Sequence, residues 1–335
     1  MIKIAIWYES CLGRNDGNPL YVNTFLRRSQ FYMDQLVGNK LNERLLSAFP
    51  AGKDDLLAKE FANWFLGEFD DSFKVDHLRP SGNDLKTFGE YDLNIWVDWG
   101  EDGLTGVLPY EPIFPKHNVV YWASDTHLGY DYRFMRAKQS DVVFCAQKDA
   151  VDSFNKKGVK ANWLPHAFEP IAYPKYNLAS KKYDVCFIGH VNNDKRMDIL
   201  DRVFSEFPNF YYGQARFEEA SRKFSETKAV INCAMIEDLN MRCFEVMGSG
   251  NLLVTDDIPS LHELFVNKKH LVMWKDLDDM IELTRYYIKN PKEAAEIAKN
   301  GYEECLAKHT IYHRVKEMFK KSSHLLKEKK HADAA

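Results

Sequence analysis

With 335 residues the chain has room for two domains of ordinary size, and 45% hydrophobic against 28% charged residues excludes wholesale disorder. The 45 basic and 49 acidic side chains leave a formal net charge of −4, which excludes a global positive field able to hold a polyanion. No apolar run approaches membrane-spanning length, and the N-terminus opens on a strand rather than a signal peptide, so the expected compartment is the cytoplasm.

In chain order, apolar strand signals fall at 2–7, 73–78, 92–98, 118–123, 141–145 and 161–164. Between the first two lies a long helical region, 21–47 and then 53–69, in which Phe25, Tyr32 and Leu36 share one face. A short helix from Asp149 to Lys157 ends at Gly158. Strand and helix alternate throughout, the pattern of a parallel sheet covered on both faces. Pro165, Pro170 and Pro174 interrupt that pattern and mark an interdomain segment up to Lys182.

Alternation then restarts with strand 183–188, helix 194–206, strand 209–212, helix 216–226 and strand 228–232. A short helix at Asn240 to Met247 leads through Gly248-Ser249-Gly250 into a brief strand that ends on Asp256-Asp257. A strand at 270–273 follows, and everything from Leu277 onward is helical, with Pro291 opening a new helix in its first turn. The expected architecture is α/β, with two Rossmann-like doubly wound domains. They span 1–170 and 171–310, and a last helix over 311–335 returns to the first.

The six cysteines, at 11, 145, 186, 233, 243 and 305, form no C-x-x-C pair and several sit inside apolar strands. They read as buried free thiols in a reducing compartment. No H-E-x-x-H or persuasive D-x-D spacing marks a metal site, so none is expected. The lysine runs, such as Lys327 to Lys330, read as solvated helix faces.

The most informative stretch is Asn240 to Asp257. In an open α/β sheet, ligands collect at the carboxyl ends of strands and the amino ends of helices. Arg242, at the start of a helix, suits a phosphate; Glu245, one turn on, suits two vicinal hydroxyls. Together they form a sugar-nucleotide clamp. Gly189-His190 ends the first strand of the second domain, where a glycine lets backbone approach a pyrophosphate. Lys195 and Arg196 open the next helix as further phosphate partners.

These motifs resemble those of the CgeB-like glycosyltransferases, relatives of the group 1 glycosyltransferases of GT-B fold. The resemblance rests on Asp184-Val185-Cys186-Phe187-Ile188-Gly189-His190, Lys195-Arg196, Arg242-Cys243-Phe244-Glu245 to Gly250 and Leu261-His262-Glu263-Leu264-Phe265. It continues with Ile297-Ala298-Lys299-Asn300-Gly301 and His309-Thr310-Ile311-Tyr312-His313-Arg314, covering about 183–319. Over the first 165 residues it is looser, carried by the wound pattern and by Asp125-Thr126-His127-Leu128.

The resemblance implies two facing domains, with the nucleotide-sugar in the second and the acceptor in the first. It gives Glu245 the role of gripping the donor ribose. A second acidic residue, seven or eight positions earlier in many relatives, is left open here between Glu237 and Asp238. Gly189, His190, Lys195, Arg196, Asn240, Arg242, Glu245 and Gly13 make up the expected donor-binding set. Asp125 and His127, followed by Asp98, are the candidates for receiving the acceptor's proton, with Glu9 and Asp16 behind them.

The expected activity is metal-independent transfer of a sugar from a nucleoside-diphosphate donor, UDP- or GDP-linked, to an acceptor hydroxyl. No other cofactor is expected. Acceptors of carbohydrate, protein and modified-DNA type all remain open. The alternative classes are a catalytically inactive GT-B-fold binding or structural protein and a phage-type DNA-base glycosyltransferase.

Overall fold

The computed structural model describes residues 2–9, 73–78, 89–98, 118–170, 173–178, 180–191, 194–234 and 239–333. The helices expected over 21–47 and 53–69, and Gly13, Asp16, Glu237 and Asp238, lie outside the described residues. The chain divides into two compact units, one reaching Pro165 and resuming at Tyr312, the other running from His166 to Ile311.

The first unit carries β1 (Ile2–Glu9), β2 (Phe73–Leu78), β3 (Leu93–Asp98), β4 (Val119–Ala123), β5 (Val142–Cys145) and β6 (Ala161–Trp163). They form one sheet in the order β2-β1-β3-β4-β5-β6, and all pairings are parallel. Every residue of β3, β4 and β5 is buried. Continuous burial of this kind belongs to a parallel sheet covered on both faces.

Helices α1 (Tyr130–Lys138) and α2 (Lys148–Lys156) supply Phe134 and Phe154, whose rings meet edge-on at 5.3 Å. Because β2 and β3 flank β1 on opposite sides, the crevice of this sheet opens between β1 and β3. Glu9 and Asp98 are register partners at its carboxyl end. The strand signal at 2–7 stopped short of Glu9. Pairing with β3 carries the strand on through it.

The second unit repeats the plan. Its strands are β7 (Tyr183–Ile188), β8 (Phe210–Gly213), β9 (Thr227–Ile231), β10 (Leu253–Asp256) and β11 (Val272–Trp274), in the order β11-β10-β9-β7-β8 and all parallel. The expected strands at 209–212, 228–232 and 270–273 correspond to β8, β9 and β11 with ends displaced by one or two residues.

Its helices are α3 (Asp194–Glu206), α4 (Phe217–Ser225), α5 (Met241–Gly248), α6 (Pro259–His262), α7 (Leu277–Lys289) and α8 (Pro291–Lys308). Asp276 caps α7 by accepting the Asp279 N–H at 2.9 Å, and Pro291 sits at the start of α8. The four-residue α6 was not anticipated, since one turn is too short to show a helical period.

The last helix, α9 (Ile311–Asp333), turns Met318, Phe319, Leu325 and Leu326 inward. Arg314, buried near its start, donates Nε to the Pro165 carbonyl at 2.7 Å. The five cysteines among the described residues are buried and free. Burial pushes the Cys186 thiol up to about 12 and the Cys233 thiol, helped by nearby Asp256, to about 11. Among the described residues no helix is long and apolar enough to cross a membrane.

Candidate functional site

The crossovers of the second sheet leave β7 in opposite directions, so its crevice opens at the carboxyl ends of β7 and β9. Gly189 and His190 follow β7 directly; Asn232, Cys233 and Ala234 follow β9. A Cβ at Gly189 would meet the Phe187 ring at 3.3 Å and Arg242 Nη1 at 3.5 Å. The Gly189 backbone thus lies beside the Arg242 guanidinium. His190 beside it is exposed.

Helix α5 begins at this crevice. Its N-cap, Asn240, uses its side chain not to cap the helix but to reach Asn232 Oδ1 at 3.4 Å. Glu245, one turn into the helix, is 3% exposed. Its Oε2 accepts Arg242 Nε at 3.0 Å and its Oε1 accepts the Tyr173 hydroxyl at 2.6 Å. The sequence treated Arg242 and Glu245 as separate tools, one for phosphate and one for hydroxyls. They are instead joined in an ion pair, since three residues along a helix sets two side chains on one face. Each carboxylate oxygen can accept a second hydrogen bond, so the pairing orients Glu245 without exhausting it.

Arg196 donates Nη1 to the His190 carbonyl at 2.9 Å and Nη2 to the Cys233 carbonyl at 2.8 Å. Its guanidinium thus staples the end of β7 to the end of β9. Lys195 reaches Asp256 Oδ2 and the Ala234 carbonyl, both at 3.3 Å, while its side chain stays half exposed. Asp256, at the end of β10, also accepts the Ala234 N–H on both oxygens at 3.1 Å. Sequence reasoning missed Tyr173 and Asn232. Tyr173 lies in the proline-rich segment, where spacing gives no signal, and only the fold brings it to Glu245.

In the first unit, Asp98 has partners of its own. This carboxylate is 2% exposed, accepts the Tyr121 hydroxyl at 2.7 Å and pairs with Arg133 at 3.2 Å. It is the buried anion of an ion pair with Arg133. Arg133 also donates to the Leu128 carbonyl at 2.7 Å, tying the turn after β4 to the end of β3. Gly129, at φ 127, leaves room for that guanidinium: a Cβ there would sit 2.9 Å from Nη1.

Asp125 and His127 both lie in this turn. Asp125 holds φ at 47, a left-handed conformation uncommon outside glycine, while its carbonyl accepts the Leu128 N–H at 2.8 Å. Its side chain is half-buried, and the His127 side chain is exposed. Among the described residues no cluster of three or more His, Cys, Asp or Glu side chains is suited to hold a metal ion.

A family model described as glycosyl transferase-like matches residues 179–320. No curated protein matches the chain in sequence. Among solved structures, HepE from Anabaena, in complex with UDP and glucose, aligns with a TM-score of 0.59 at 12% identity, over 96% of this chain and 100% of that one. A DNA-modifying β-glucosyltransferase, studied with and without uridine diphosphoglucose, aligns at 0.54 and 14% identity, over 96% and 99%. A TarM variant from S. aureus, in complex with UDP, aligns at 0.53 and 13% identity over 71% of this chain. The chain spans 58% of the length of that TarM structure. The match to the glycosyl transferase-like family thus covers the segment that holds Gly189, Arg242 and Glu245, on a fold shared with these UDP-binding structures.

Proposed function

We propose that the chain is a glycosyltransferase of the group 1 type, CgeB-like in its motifs and acting in the cytoplasm. It moves a sugar from a UDP-linked donor to an acceptor hydroxyl without a resident metal. One observation carries the reading: Gly189, Lys195, Arg242 and Glu245 converge at the switch point of the second sheet, within the segment matched by the glycosyl transferase-like model. HepE and TarM, which share the fold, have been captured with UDP, and this supports uridine as the nucleotide.

In this reading the bare backbone of Gly189 and the amino end of α5 receive the diphosphate, with Arg242 and Lys195 as its cations. Negative charge builds on the diphosphate as the sugar leaves, so donors already fixed there stabilise the transition state. One such donor is typically worth about 10²–10³ in rate. Glu245, held by Tyr173 and Arg242, accepts hydroxyls of the donor ribose. On the first sheet, the turn of Asp125 and His127 receives the acceptor's proton. The acceptor is a sugar or protein hydroxyl, because a net charge of −4 does not favour duplex DNA.

The test is a thermal-shift series with UDP, GDP, ADP, CDP and TDP, followed by donor hydrolysis with UDP-glucose. UDP raising the melting temperature of the parent chain, and much less that of Glu245→Gln, is the expected result. No shift with any nucleotide, together with no release of UDP from UDP-glucose, overturns the proposal in favour of an inactive relative.

A further inference from the structure

The second unit has another concave site, at the opposite edge of its sheet. A cavity of about 500 Å³ opens where β7, β9 and β10 begin, away from Gly189 and Arg242. Its volume lies within the roughly 300–1,000 Å³ of small-molecule sites. Four lysines line it, Lys175, Lys181, Lys228 and Lys299, and no carboxylate is among the described lining residues. The rest of the wall is largely apolar, from Leu252, Ile288, Ala294 and Ala298.

The lysines are not equally neutralised. Lys228 pairs with Asp184 at 2.6 Å and Lys299 with Glu303 at 3.8 Å. Lys175 has its ammonium 4.3 Å from the Tyr302 ring centroid, and Lys181 donates to the Ser225 carbonyl at 2.7 Å. Neither meets a carboxylate among the described residues. Although Lys181 as a residue is exposed, desolvation of its ammonium pulls its pKa below the ordinary lysine value, against a raising influence from Cys186. Two cations held beside an apolar wall without counter-charge are complementary to a ligand that brings both an anion and a hydrocarbon.

We infer that this cavity binds a small amphipathic anion, its anionic head against Lys175 and Lys181 and its aliphatic body against Leu252, Ala294 and Ala298. The site is separate from the proposed donor crevice, so binding there stands whether or not the chain transfers a sugar. None of the cavity residues belongs to the clamp of Arg242, Glu245 and Tyr173.

The experiment titrates the full chain with dodecanoate below its aggregation concentration, with dodecanol and inorganic phosphate as the two half-ligands, read by calorimetry. Saturable binding of dodecanoate, stronger than either half-ligand and not displaced by UDP, is expected. The double variant Lys175→Met with Lys181→Met weakens it by roughly tenfold or more. Ala295→Trp keeps the fold intact because position 295 is an exposed lining residue of α8, and it blocks binding sterically. A dodecanoate affinity unchanged in both variants, or phosphate binding as tightly as dodecanoate, overturns the proposal. So does recruitment to anionic phospholipid vesicles without binding of free dodecanoate.

Discussion

Tyr173 and Glu245 are 72 residues apart in the chain, yet the Tyr173 hydroxyl donates to Glu245 Oε1 at 2.6 Å. Both side chains are buried, Tyr173 at 5% exposure and Glu245 at 3%. Arg242 engages the other carboxylate oxygen, so the charge of Glu245 is held in place from two sides. The proline-rich segment at the start of the second unit is thereby linked to the residue proposed to grip the donor.

Removing the Tyr173 hydroxyl tests that link. A hydrogen bond to a charged group contributes about 1.5–3 kcal/mol, and Tyr173→Phe keeps the ring while deleting the donor. Denaturant unfolding should show a loss of that size, and the UDP-induced thermal shift should shrink. Unchanged UDP response alongside the stability loss would show that Tyr173 supports the fold without orienting Glu245.

Asp98→Asn separates a buried ion pair from a catalytic base. Arg133 and Asp98 have side chains 4% and 2% exposed, and removing one charge leaves the other buried without its partner. The expected loss is about 3–5 kcal/mol of stability. A folded, stable variant that has lost only donor turnover would instead support Asp98 as the proton acceptor.

Gly301 stands where α8 crosses the His270 carbonyl. A Cβ there would overlap that backbone oxygen and press on Met247 of α5. Backbone cannot move aside as a flexible side chain can, so Gly301→Ala should destabilise by about 1–3 kcal/mol. Differential scanning calorimetry on this variant checks it. A rise in melting temperature, the usual helical effect of Gly→Ala, would show that the two backbones are not held this close.

His270 gives the second unit a dependence on pH. Burial lowers its pKa below the ordinary histidine value, and its Nδ1 accepts the Val266 N–H at 3.2 Å, which requires the neutral ring. Glu304 opposes the shift, while Lys269 and Lys308 reinforce it. The folded state thus prefers the neutral ring more than the unfolded chain does. Its stability is fully present above the unfolded value of about 6.5 and declines as pH falls below it. Unfolding free energies between neutral and mildly acid pH should slope downward with acid, and His270→Gln should flatten that slope. NMR titration placing the ring above the unfolded value would reverse the sign.

Much of the fold was legible. Ile2 to Ile6, Val142 to Cys145 and Val185 to Ile188 are apolar runs bounded by turn residues, and each lies within a parallel strand. The ends drifted by a residue or two, because a strand stops where its neighbour stops pairing, as Glu9 opposite Asp98 illustrates. The candidate site was read as a set of residue types. Gly189, Lys195, Arg242 and Glu245 all converge on one sheet edge, whereas the role of each depends on its partners.

Sequence by itself determined the alternation of strand and helix, the glycine at the end of β7, the i,i+3 placement of Arg242 and Glu245, and the burial of the thiols. These follow from local periodicity and residue chemistry, which act over a few positions. Only the tertiary structure decided that Arg196 staples two strand ends, that Asp98 belongs to Arg133, and that Tyr173 reaches Glu245. Those partnerships depend on the strand order β11-β10-β9-β7-β8 and β2-β1-β3-β4-β5-β6, which brings distant residues within hydrogen-bond reach. A hydrogen bond is set by distance in space, and one-dimensional patterning carries no record of that distance.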